Sequence, residues 1–504
     1  MWKKSASGSL WAALLLAASL AACAGARPTP SPAVPAMAPV PRLALAPCKL
    51  PGLDQGGRCG TFEVYENRAS RQGRKIGLHV AMLPAVKSPG PGSTAPAPLF
   101  ILVGGPGQPA SAAAKAFSGI FADVLADRDI VLVDQRGTGG SHPLDCPLPG
   151  TDDEPQGYMG DMLPVSALRD CLQHLDADLT LYTTPIAMDD LDDVRAALGY
   201  ERIDLYGSSY GSRAALVYMR SHPDHVHSVI LRGVVPTNMK LPMYYARDSQ
   251  RALELLFDEC TADPACNRAF PELRQKLAAV QARLAREPES VAVTQADTGD
   301  RVYHVRLSLD DFNEALRYRL YNEEANVIPL YLTQAAAGDY TEMARLALRQ
   351  RRVAAKGQFV AVGMFLSVTC AEDTPFIDRA EARRLAVGSF LGTYRVDQQL
   401  QACAVWPRGA LPRGFTDDVR SAAPTLIISG QRDPVAPPVW GEQVARHLPH
   451  SKHLVLPQGF HGLPDPCVTR IMNDFIRRGT AEGLDTACAA TAQKTPFVMP
   501  EPRK

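Results

Sequence analysis

The chain has 504 residues, 46% of them apolar and 21% charged, with 53 basic and 53 acidic side chains. That length exceeds a single small core and fits either one large domain with an insertion or two domains. Balanced charge excludes the basic excess of a nucleic-acid binder, and the apolar and charged fractions are those of a soluble globular protein.

Residues 1–22 read as an export signal of the lipoprotein type: Lys3 and Lys4 precede an apolar run from Leu10 to Ala22, too short to span a bilayer as a stable helix. Leu20, Ala21, Ala22 and Cys23 have the form of a bacterial lipoprotein cleavage box. This predicts lipidation of Cys23, and so a chain anchored to the cell envelope, facing the periplasm or associated with the outer membrane. An ordinary signal peptide cut near Ala22 or Ala24 is the alternative. Residues 23–47 set prolines from Pro28 to Pro47 among small side chains without apolar periodicity, the pattern of an extended tether.

Of the 11 cysteines, those after Cys23 are Cys48, Cys59, Cys146, Cys171, Cys260, Cys266, Cys370, Cys403, Cys467 and Cys488. An even number in an exported chain favours disulfides over metal ligation. Pairing neighbours in sequence gives five bridges, a connectivity that spacing alone does not establish. No C-x-x-C pair or Cys/His cluster has zinc-ligand spacing, so no metal site is expected.

The elements then follow in order. Strands are predicted over 61–65 and 75–83, the second alternating Ile76, Leu78 and Val80 with smaller or polar residues. A Pro/Gly/Ser loop over 86–98 leads into a continuous apolar run over 98–103, as in a strand buried on both faces of a parallel sheet. It delivers the chain to Gly104, Gly105, Pro106 and Gly107, where a bare backbone can point an N–H at a reacting carbonyl oxygen. Gly105 is the expected oxyanion donor there, with Gly104 behind it. A strand over 129–133 leads to Asp134 and Arg136, which are expected to brace loops rather than take part in chemistry. A crossover helix over 181–198 carries Asp189, Asp190, Asp192 and Asp193, acids suited to the positive end of a helix; metal binding is the less favoured reading.

Residues 203–216 read as a strand, a sharp turn and a helix, with Gly207, Ser209 and Gly211 in a G-x-S-x-G frame. That frame suits a nucleophile elbow, a serine held in a strained turn between glycines whose missing Cβ atoms would clash. Ser209 is the candidate nucleophile, and the N–H of Tyr210 is the second expected oxyanion donor. A strand over 228–233 follows, and the alternation then stops. Residues 239–416 show helical spacing in the runs 246–257, 271–284, 309–320 and 340–348, with a possible hairpin over 290–307, and read as an inserted helical cap. Buried-strand patterns return over 424–430, before Asp433, and over 452–456, before His461. The chain order Ser209, Asp433, His461 is that of the α/β-hydrolase triad: the imidazole takes the hydroxyl proton and the carboxylate fixes its tautomer.

These motifs together resemble the prolyl aminopeptidase and tripeptidyl aminopeptidase family of α/β-hydrolase serine peptidases, over roughly residues 48–488. The resemblance implies a mostly parallel eight-stranded sheet, a core over 48–238 and 417–490, a cap over 239–416, a C-terminal tail over 491–504, and cleavage near a free peptide N-terminus. Val103 and Tyr210 stand where prolyl aminopeptidases usually have histidine and tryptophan, a pattern closer to the secreted tripeptidyl branch. Glu372 and Asp373 fall in a segment similar to one that carries the amino-binding acid of this family, with Glu372 the first choice; bracing of a cap turn is the other reading. Glu323 and Glu324 are weaker candidates. The implied reaction needs no metal or organic cofactor. The implied partners are peptides with a free N-terminus and, through Cys23, a membrane; no nucleic acid and no obligate protein partner is indicated. Two other readings remain: an exported esterase with the same triad, and a membrane-tethered binding protein that has kept the fold without catalysis.

Overall fold

The computed structural model describes residues 42–87, 96–294, 301–357, 360–462, 465–491 and 494–500. The export segment, Cys23 and the tether through residue 41 lie outside the described residues, as does the side chain of Glu323.

Eleven strands occur among the described residues: β1 (Ala46–Leu50), β2 (Leu53–Tyr65), β3 (Lys75–Leu83), β4 (Leu99–Leu102), β5 (Ile130–Val133), β6 (Ile203–Ser208), β7 (Val226–Arg232), β8 (Glu289–Thr294), β9 (Val302–Leu307), β10 (Thr425–Gly430) and β11 (Ser451–Leu456). Nine form one sheet in the order β1-β2-β3-β5-β4-β6-β7-β10-β11, and β8 and β9 pair as a separate hairpin. Pairing is antiparallel from β1 through β3 to β5, and parallel from β5 onward. The sheet therefore has nine strands where eight were expected. The added one is β1, whose Ala46 and Pro47 had been assigned to the tether; it carries no alternation that would mark it, and it is held by its ladder to β2.

The apolar runs explain the centre. Every residue of β4 and of β5 is buried, as strands covered by helices on both faces must be. Parallel neighbours end at the same edge, so the loops after β4, β6, β10 and β11 open together, at the edge where open α/β sheets carry their chemistry.

Between β7 and β10 the chain leaves the sheet and forms helices plus the hairpin. The predicted helical runs appear as Tyr245–Ala262, Leu273–Leu284, Leu309–Arg319 and Thr341–Ala355. This insertion has its own core around Leu253, Phe257, Phe312 and Ala344, which also takes in Tyr158 and Phe497. The segment expected to be a plain tail is therefore partly packed: Val498 N–H donates to the Asn326 carbonyl at 3.2 Å.

The bridges are Cys48–Cys59, Cys146–Cys171, Cys260–Cys266, Cys370–Cys403 and Cys467–Cys488, neighbours in sequence in every case. Asp134 and Arg136 are structural. The Asp134 carboxylate accepts Ser111 N–H at 2.8 Å and Gly140 N–H at 3.0 Å, closing its own loop. Arg136 is fully buried and grips Asp190 through Nε at 2.6 Å and Nη2 at 2.9 Å, with Nη1 donating to the Glu66 and Leu181 carbonyls. The acids of the crossover helix, Thr184–Leu198, thus answer to side-chain partners rather than to the helix dipole: Asp190 and Asp193 meet Arg68, and Asp192 meets Arg195 and His225.

Asp190→Ala would strand a buried guanidinium, so it is expected to lower unfolding free energy by about 3–5 kcal/mol in urea titration. A loss within the range of a surface substitution would contradict this role for Arg136.

Candidate active site

Ser209 follows β6 directly and sits at φ 56°, ψ −126°, before the helix Tyr210–Ser221. A β-substituted residue is strained at positive φ and persists there only when its surroundings dictate it. They do here. A Cβ on Gly207 would lie 2.4 Å from the Gly211 carbonyl oxygen, and one on Gly211 would lie 2.0 Å from the Leu102 oxygen. Helix, turn and β4 thus close on one another without room for a side chain at either glycine. The turn is pinned further by Ser209 N–H donating to the Arg232 carbonyl at 2.9 Å, and by Ser212 Oγ donating to the Ser209 carbonyl at 2.6 Å.

The other two triad candidates meet as well. His461 Nδ1 lies 2.7 Å from Asp433 Oδ2, with Asp433 fully buried and His461 nearly so. Asp433 Oδ1 accepts the N–H groups of Val435 and Ala436, both at 2.8 Å, so one oxygen holds the turn and the other holds the imidazole. Burial alone would raise the Asp433 carboxyl; the charge and hydrogen bond of His461 and the two backbone amides outweigh it and hold the group below its usual range. An ionised Asp433 accepts only, so in the neutral imidazole Nδ1 carries the proton and Nε2 keeps the lone pair. Gly233, which follows the Arg232 that binds Ser209, lies against this pair: a Cβ there would be 3.0 Å from His461 Cε1 and 3.6 Å from Asp433 Oδ2. Among the described residues the Asp433–His461 bond is formed and a Ser209–His461 hydrogen bond is not; such bonds often tighten only with substrate.

Of the glycine loop, Gly104 lies nearest the nucleophile, since a Cβ on it would be 3.3 Å from Ser209 Cβ and 3.7 Å from Oγ. At Gly105, with φ +109°, a Cβ would lie 2.7 Å from Gly107 N and 3.2 Å from Gln108 N. Tyr210 opens its helix, and first-turn amides have no acceptor within the helix.

Glu372 and Asp373 lie under the elbow helix, sealed from solvent. Glu372 Oε1 accepts Thr184 N–H at 2.6 Å and Oε2 accepts Thr184 Oγ1–H at 2.9 Å, with Arg213 Nη1 at 3.7 Å. Asp373 Oδ1 accepts Arg213 Nη2 at 2.9 Å and Leu241 N–H at 3.0 Å, while its Oδ2 has no hydrogen-bond partner among the described residues. Thr184 Oγ1 also meets the Tyr210 hydroxyl at 2.8 Å, which ties the cluster to the residue after the nucleophile. Glu324 is paired with Arg319. Sequence reasoning missed Thr184, Arg213 and Gly233. Arg213 did leave a signal, a lone charge in an otherwise small and apolar helix start.

Burial pushes the Glu372 carboxyl up to about 7, against Arg213 and the Thr184 bonds, and the charge of Asp373 adds to the rise. A carboxyl raised on folding binds its proton more tightly folded than unfolded. Its contribution is full below the ordinary value of 4.5 and is lost as pH climbs through about 7. Glu372→Gln, fixed in the neutral form, is expected to gain on the wild type by roughly 3 kcal/mol across that window. Urea unfolding on either side of it measures this, and a pH-independent difference would contradict it.

Comparison with known proteins places this geometry. Residues 97–465 match the family model described as the alpha/beta hydrolase fold. Tripeptidyl aminopeptidase of Streptomyces coelicolor is 24% identical over 482 residues, covering 87% of this chain and 84% of that protein. Serine protease Hip1 of Mycobacterium tuberculosis is 24% identical over 494 residues, covering 87% and 88%. Proline iminopeptidase of Neisseria gonorrhoeae is 31% identical over 137 residues, covering 27% and 32%. The chain belongs to the alpha/beta hydrolase fold family.

Proposed function

We propose that the chain is an exported serine exopeptidase that hydrolyses peptide bonds near a free N-terminus through an acyl-enzyme. The observation that carries the reading is the buried Asp433–His461 pair standing beside the strained Ser209 elbow. Similarity to a tripeptidyl aminopeptidase over most of both chains supports a peptide rather than another acyl substrate. Five disulfides support a place outside the reducing cytoplasm. No helix among the described residues is long and apolar enough to cross a membrane, and the envelope attachment proposed is the lipid on Cys23.

His461 Nε2 takes the Ser209 proton as Oγ attacks the scissile carbonyl, and Asp433 stabilises the imidazolium that forms. The amides of Gly105 and Tyr210 receive the oxyanion, with Gly104 the alternative donor on the loop side. Imidazolium then protonates the leaving amine, and water enters by the same route to release the acyl group.

Recognition of a free amine calls for a carboxylate, and Glu372 and Asp373 are the proposed receivers. Two carboxyls face one guanidinium, and Asp373 retains an oxygen without a hydrogen-bond partner. This ranks Asp373 ahead of Glu372, whose two oxygens are both taken by Thr184. Both acids are sealed, so capture requires local displacement of the cap.

Ser209→Ala is expected to abolish labelling by a fluorophosphonate probe and to lower kcat by roughly six orders of magnitude; a variant that labels like the wild type would remove the nucleophile assignment, and a wild type that does not label would leave a binding protein. Free tripeptidyl anilides are expected to be cleaved and their N-acetylated forms not, with Asp373→Asn raising KM for the free substrate by about tenfold or more. Equal rates on free and acetylated substrates would favour an esterase.

A further inference from the structure

We propose that Tyr321, in the cap, is a positioning residue for His461, the second group besides Asp433 that fixes the imidazole. The inference rests on the triad reading above. His461 stands in the loop between β11 and the helix Pro466–Arg478, outside any ladder that would hold its ring. One hydrogen bond at Nδ1 sets the direction of the imidazole but leaves it free to rock about the line to Asp433. Tyr321 removes that freedom. Its ring meets the imidazole edge to face, with centroids 5.2 Å apart and planes at 80°. Its carbonyl accepts the N–H of Gly462 at 2.7 Å, so the residue next to the base is held by the same cap residue. The approach is close enough that a Cβ on Gly462 would come within 3.1 Å of Asn322 Cβ.

Tyr321 is itself rigidly mounted. Its hydroxyl accepts Arg317 Nη1 at 2.7 Å, the Arg317 guanidinium lies 5.3 Å from the ring centroid, and the Tyr318 ring stacks on it at 5.5 Å. Arg317 is in turn fixed by Glu314, Nη2 to Oε2 3.0 Å, with both side chains buried. A chain of contacts thus runs from Glu314 through Arg317 and Tyr321 to His461, and the base is clamped between a carboxylate of the sheet and a ring of the cap.

The test uses the full chain with a fluorophosphonate probe and a small acetyl ester, neither of which needs a peptide subsite. Tyr321→Leu keeps bulk but loses the ring; it is expected to slow both labelling and kcat by roughly ten- to a hundredfold, with KM changed by no more than about twofold. Tyr321→Phe restores the ring and is expected to stay within about threefold of the wild type. A folded Tyr321→Leu that reacts at the wild-type rate, or a Tyr321→Phe that falls as far as Tyr321→Leu, overturns the assignment. If Tyr321→Leu lacks a cooperative thermal transition, Arg317→Met, which frees the phenol, decides: slower labelling supports the role, and unchanged labelling overturns it. His461→Ala separates the two levels of the argument. Its loss of labelling while Tyr321→Leu keeps the wild-type rate leaves the triad standing and ends this inference, whereas full labelling of His461→Ala ends the triad reading itself.

Discussion

The proposed chemistry turns on where one proton sits, on Nδ1 of His461 facing Asp433. A serine hydroxyl is inert at neutral pH unless a neighbouring base has a lone pair aimed at it, and an imidazole offers that lone pair only in one tautomer. Asp433 enforces the tautomer because its carboxylate cannot turn away: one oxygen is occupied by the amides of Val435 and Ala436, the other by the ring. A Cβ on Gly233 would press on the imidazole, 3.0 Å from His461 Cε1 and 3.2 Å from Nδ1.

The insertion between β7 and β10, the proposed cap, is bound to each loop that bears a candidate catalytic residue. Ala361 N–H donates to Gly107 O at 3.0 Å, reaching the glycine loop, and Arg213 joins the elbow helix to Asp373. Arg251 Nη2 donates to the Gln431 carbonyl at 2.8 Å and to that of Asp433 at 3.2 Å, and Tyr321 holds the histidine loop. Four separate links from one insertion mean that the candidate site is a joint product of sheet and cap, and that displacing the cap would disturb the mounting of each proposed catalytic segment.

The sheet was legible because burial on both faces leaves an unmistakable mark. Runs such as Leu99–Leu102 and Ile130–Val133 have no polar position to spare, and each points to the loop that follows it. The elbow was legible because its glycines answer to hard contacts within a few residues or with the adjacent strand. β1 was not, since an edge strand that pairs on one side needs no hydrophobic face, and its Pro47 continues the proline spacing of the tether. The packing of Phe497 on the cap and the meeting of Tyr321 with His461 were out of reach for a different reason: they depend on tertiary approach between distant segments, and neither end of such a contact announces its partner. The acids of the crossover helix show the same limit. Composition and position suggested the helix dipole, whereas Arg68, Arg136 and Arg195 decide their role.

Electrostatics beneath the elbow explains how a site can keep two carboxyls and one guanidinium out of water. Three full charges there would leave a net negative centre next to Tyr210, whose amide faces the developing oxyanion in the proposed mechanism, and a buried unpaired charge is the costly state. Burial raises the Glu372 carboxyl to about 7, which favours its neutral form and leaves Arg213 to pair with Asp373. Thr184 can serve that arrangement because its hydroxyl both donates and accepts, linking Glu372 to the Tyr210 phenol. Asp433 keeps its negative charge as well, and that charge sits where the imidazolium forms in the proposed mechanism.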